Sequence, residues 1–120
     1  MAKFLSVACA AALLGACAAS QEQAQQHASI ARGYEIVESH CASCHAVGRS
    51  GESAAPEAPA FRRLSQRYPV DTLEEAFAEG ISVGHPAMPQ FQFAPDDVHA
   101  LVSYLQSIQE DRPSERPPNQ

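Results

Sequence analysis

The stretch Cys41-Ala42-Ser43-Cys44-His45 places two sulfurs and an imidazole within five positions. Whatever these side chains hold must lie against the chain at that point, and the rest of the fold must accommodate it. A disulfide, a zinc ion, a redox-active dithiol and a covalently attached haem all use this kind of spacing. The remainder of the 120 residues has to decide among them.

Residues 1–16 read as an export signal. Lys3 is a short positive start, and residues 4–14 form an almost unbroken apolar run that is too short to span a bilayer. The run ends in Leu14-Gly15-Ala16-Cys17, which looks like a bacterial lipobox with Cys17 as the lipidated first residue of the mature chain. Cleavage after Ala18, at a small-x-small site, is the alternative. More than one acyl chain on Cys17 would anchor the protein stably to a membrane. The expected location is therefore periplasmic, either soluble or held as a lipoprotein. Exported proteins normally pair their cysteines. Here Cys9 lies in the apolar run and Cys17 at the cut site, so Cys41 and Cys44 are the two that remain in the body.

Residues 17–28 are polar, rich in Gln and Ala and without an apolar stripe, and read as a flexible tether. Residues 111–120 carry three prolines and no large apolar side chain, and read as a disordered tail. What remains is one domain over residues 29–110. Domains of this size bury only about 60% of their surface and benefit from a staple or a large apolar cofactor. The formal net charge is −6. An acidic chain has nothing with which to neutralise phosphates in bulk, so nucleic acid is not an expected partner.

The apolar pattern is helical. Ile30, Tyr34 and Val37 recur at spacings of four and three, with Gly33 as a gap into which a second helix could pack. Pro95, followed by Asp96 and Asp97, opens a helix whose stripe is Val98, Leu101, Val102, Leu105 and Ile108 and which ends near Gln109, with Tyr104 placed to fill the Gly33 gap. Two shorter helices are expected between these. One carries Phe61, Leu64 and Tyr68 and is stopped by Pro69. The other is capped by Asp71 with Glu74 and terminated by Gly80. No strand pattern of useful length appears, and the expected class is all-α with substantial loops.

Zinc needs a second ligand pair, and no His-x₃₋₅-His pair stands apart from the cysteines. A thioredoxin-like dithiol needs a βαβ unit, and it leaves His45 unexplained. Haem attachment uses all three residues. On a helical turn, positions i, i+3 and i+4 project to one side. Cys41 and Cys44 would form thioethers with the haem vinyl groups, and His45 would coordinate the iron.

With these residues in view, the chain resembles the class I c-type cytochromes, and most closely their small bacterial monohaem members. The resemblance rests on Gly33 eight positions before Cys41, on the Cys-x-x-Cys-His motif, on Met88 between prolines, and on the last helix, over about residues 29–110. Met88 follows His45 by 43 positions, too few for the longer middle loop of the mitochondrial type. The resemblance implies a cytochrome c fold of three to four helices, first and last crossing, with loops wrapped around one covalent haem c. It also implies single-electron transfer rather than enzymatic turnover, with redox proteins as donor and acceptor.

Met88 is the favoured second axial ligand, with His85 as its rival; a thioether raises the potential and a second imidazole lowers it. The resemblance places a proline carbonyl on the other ring nitrogen of His45, from Pro59 or alternatively Pro56. Arg62, Arg63, Arg67, Tyr68 and Gln90 are candidate donors to haem propionates. His40 is expected to point away from the haem, and His99 to be exposed. Two other functions are compatible with the same residues: an enzyme or gas sensor with an exchangeable sixth ligand, and a fixed haem subunit of a larger dehydrogenase or oxidase.

Overall fold

The computed structural model describes residues 5–80 and 88–110, with side chains from Ala18 onward. Expectations for the side chain of Cys17, for His85 and for the tail 111–120 fall outside these residues.

Three α-helices are present among the described residues: α1 (Leu5–His40), α2 (Leu73–Glu79) and α3 (Pro95–Ser107). Two 3₁₀ turns, Phe61–Gln66 and Val70–Thr72, lie between the first two. Helices and loops make up the described chain, as the all-α expectation requires. Helix α1 is longer than its amphipathic part. It runs unbroken through residues 17–28, so the segment read as a flexible tether is helical instead. The reason lies in composition: Ala, Gln and Glu are good helix formers, and extending an existing helix avoids the cost of nucleating a new one. Side chains of residues 18–28 are all exposed, so burial is not what makes this part helical.

The core forms where α1 crosses α3. A Cβ added at Gly33 would overlap the Ala100 carbonyl oxygen and lie 2.6 Å from Tyr104 Cβ, so the glycine is what lets the two backbones approach. Tyr104 fills the space beside it. Its ring packs on Tyr34 at 5.5 Å, and its hydroxyl donates to the Val47 carbonyl at 2.8 Å. Every residue of the predicted α3 stripe is buried. Ala100, Ser103 and Tyr104 are buried as well, because α3 faces α1 on one side and the rest of the domain on another. Val37, Leu101, Val102 and Leu105 are the most deeply enclosed, each contributing about 1.5–3 kcal/mol of apolar burial. His99 is exposed, as expected.

The middle of the chain departs from expectation in two places. The segment around Phe61, Leu64 and Tyr68 is a 3₁₀ turn rather than an α-helix. Its tighter winding buries Phe61, Arg62 and Leu64 but leaves Tyr68 partly exposed. Helix α2 has Thr72, not Asp71, at its N-cap, and no side chain caps it. The turn Val70–Thr72 precedes it, and the Thr72 hydroxyl donates back to the Pro69 carbonyl at 2.6 Å, so the expected Asp71–Glu74 box does not form. Gly80 does terminate α2, with φ of 94°.

Candidate functional site

The Cys-x-x-Cys-His segment continues α1 as one tight turn. Cys41 N–H donates to the Val37 carbonyl at 2.9 Å, and the Cys41 carbonyl accepts from Cys44 N–H at 3.1 Å and His45 N–H at 2.9 Å. These bonds bring Cys44 and His45 to the same side of the chain as Cys41. The following loop folds back on the turn. Ala55 N–H donates to the Cys44 carbonyl at 3.1 Å, Ala46 N–H to the Ser53 hydroxyl at 3.0 Å, and Phe61 N–H to the Ala46 carbonyl at 3.0 Å.

That loop carries Pro59 to the His45 ring. Nδ1 lies 2.8 Å from the Pro59 carbonyl oxygen. A carbonyl can only accept, so Nδ1 carries the proton, and in the neutral imidazole Nε2 keeps its lone pair. The Phe61 ring packs on the imidazole at 4.7 Å with the planes 37° apart. His45 is thus fixed by a bond at one edge and by a ring on one face. Pro56, the alternative partner, is exposed.

His45 borders two adjoining cavities. Cys41, Met88 and Phe91 line both of them together with His45. The outer one also meets Cys44, His40 and Glu57. The inner one is apolar and reaches Leu64, Phe77, Phe93 and Leu101. Met88 is half-buried and packs against the hydrophobic core. Two thiols, an imidazole and a thioether therefore share one apolar hollow. Cys41 and Cys44 are free rather than paired. Burial first, and Cys44 second, push the Cys41 thiol up to about 11. That is the reverse of the depressed value a redox-active dithiol needs.

Two residues stand elsewhere than the sequence indicated. His40 does not turn away from the site. Its ring meets the edges of Phe91 at 5.5 Å and Phe93 at 5.7 Å and lines the outer cavity. Arg62, a candidate donor to haem propionates, lines neither cavity. It is buried, and its guanidinium is taken up by Glu110, Glu52 and the Gly51 carbonyl. Among the other donor candidates, Arg63 pairs with Glu52 and Glu110, and Arg67 and Gln90 are exposed. Tyr68 lines the inner cavity, where burial raises its phenol above the ordinary value.

The donor set and its surroundings fit a covalent haem. Cys41 and Cys44 would form the thioethers, His45 Nε2 and the Met88 sulfur would be the iron ligands, and the apolar walls would hold the macrocycle. No helix among the described residues is long and apolar enough to cross a membrane. Comparison with curated proteins and with solved structures found no match. A family model described as Cytochrome c matches residues 30–109. With two thirds of its length inside that match, the chain belongs to the cytochrome c family, whose domains bind covalent haem c, are typically extracellular or periplasmic, and serve haem-based electron transfer.

Proposed function

We propose that this protein is a monohaem single-electron carrier between exported redox proteins, with one haem attached through Cys41 and Cys44 and ligated by His45 and Met88. The observation that carries the reading is the Nδ1–Pro59 contact beside an unpaired Cys-x-x-Cys pair, with Met88 on the same apolar cavity. It supports a role for His45 as a ligand through Nε2, because a carbonyl on Nδ1 fixes both the tautomer and the ring orientation and raises ligand basicity.

The haem supplies the one-electron couple; the polypeptide supplies everything else. Pro59 and Phe61 hold the imidazole plane, and two ligands retained in both oxidation states keep rearrangement on electron transfer small. The apolar walls from Leu64, Phe77, Phe93 and Leu101 limit access of water and tune the potential. The lipobox at Cys17 supports a periplasmic protein tethered by lipid, read from sequence.

Two measurements test this reading. Denatured holoprotein extracted with acidified organic solvent keeps its colour on the polypeptide, and the double variant Cys41→Ala, Cys44→Ala loses it. The oxidised wild type shows the weak long-wavelength band of a sulfur–iron bond. Colour that leaves with the solvent removes covalent attachment. An absent band, with ready uptake of added imidazole, moves the function to the exchangeable-ligand class.

A further inference from the structure

The segment that orients His45 is itself anchored from the far end of the chain. The Phe61 carbonyl accepts from Gln109 Nε2 at 2.8 Å, and Gln109 Oε1 accepts from Ser65 N–H at 2.8 Å. The Arg62 carbonyl accepts from Glu110 N–H at 2.7 Å. The Arg62 side chain, 5% exposed, donates from Nε to Glu110 at 2.8 Å and from Nη1 to the Gly51 carbonyl at 2.9 Å. Gly51 presents that carbonyl from a left-handed backbone, φ 89°. Residues 59–62 are thereby held between the end of α3 and the loop at Gly51, and Pro59 and Phe61 within them are the two contacts of the imidazole.

A buried guanidinium is costly to desolvate unless its donors are satisfied, and here two of its nitrogens have bonds at good length. A helical shell of this size does not need such a group for its core, which lies at the α1–α3 crossing. The placement makes sense as a means of fixing geometry. We propose that Arg62, with Gln109, is a positioning residue for the iron ligand His45: it acts through the backbone of residues 59–62 to set the plane of the imidazole. The inference rests on the ligand role proposed for His45.

The test compares ferric holoprotein of wild type, Arg62→Gln, Gln109→Ala and Arg32→Gln. The proton shifts of the four haem methyl groups report the orientation of the axial imidazole. Arg62→Gln and Gln109→Ala redistribute those four shifts and speed exchange of the Phe61 amide at least tenfold relative to amides at the α1–α3 crossing. Arg32→Gln removes the same charge from an exposed side chain that pairs with Asp97 at 3.0 Å and Glu35 at 3.6 Å, away from both cavities, and it changes neither readout. Unaltered methyl shifts in Arg62→Gln overturn the proposal, as do equal changes in Arg32→Gln. Should Arg62→Gln not fold, Gln109→Ala decides by the same criteria, since it leaves no charge unpaired. A wild type without covalent haem would instead defeat the ligand reading of His45, so the two failures are separable.

Discussion

The Met88 thioether is half-buried on the cavity it shares with His45, and Met88→Ala removes it without disturbing either cysteine. The reduction potential is expected to fall by on the order of a hundred millivolts, a fraction of the roughly 0.8 V that axial ligands span. The variant should also bind added imidazole or cyanide, to which wild type is closed. Spectroelectrochemistry and an optical titration check both outcomes; an unchanged potential would move the ligand role to another group. Met88 and the Cys-x-x-Cys-His turn were legible because their information is local: a five-residue spacing, and a lone body methionine between prolines. His40 and Arg62 were not. The ring partners of His40 lie some fifty positions away, at Phe91 and Phe93, and the Arg62 partner Glu110 is 48 positions away. Nothing near an arginine in sequence says that it will be buried.

Among the elements, α3 and the part of α1 that crosses it were legible, because their pattern answers to tertiary packing. The α3 stripe is fully buried, and Gly33 and Tyr104 meet as their positions indicated. Gly33→Ala should therefore be costly, although alanine is the better helix former by up to about 1 kcal/mol. Its Cβ would overlap the Ala100 carbonyl oxygen and crowd Tyr104 Cβ, both parts of a helix that cannot yield locally. Overpacking of this kind costs about 1–3 kcal/mol, which exceeds the propensity gain. For a domain of this size that corresponds to a fall in Tm of roughly 4–8 °C per kcal/mol, measurable by thermal unfolding of the holoprotein. No loss of stability would mean that α1 and α3 slide apart cheaply. The short middle elements were read less well. Their form depends on what they hold: the Phe61–Gln66 turn is wound tightly while its residues face His45 and the end of α3 at once.

For the molecule as a whole, the first helix serves two regions with different demands. Residues 29–40 are amphipathic and carry Gly33, Ile36 and Val37 into the crossing with α3, whereas residues 18–28 expose every side chain. The helical state of the second region follows from composition and from continuity with the first, not from burial. Reading it as a tether was correct about its lack of an apolar face and mistaken about its backbone, because absence of packing does not imply absence of helix when Ala, Gln and Glu dominate. It follows that a chain beginning at Ser29 behind an unrelated export signal should retain the haem site. Covalent haem content, the optical spectrum and the potential are expected to match the full chain. Tm should change by no more than a few degrees, since exposed positions away from special features contribute within about 0.5 kcal/mol each way and fraying is confined to the helix start. A larger drop, or loss of the sulfur–iron band, would show that the exposed part of α1 braces the domain. Equality would assign it to reach alone: about 16 Å of helix, at 1.5 Å per residue, between the haem domain and whatever precedes Ala18.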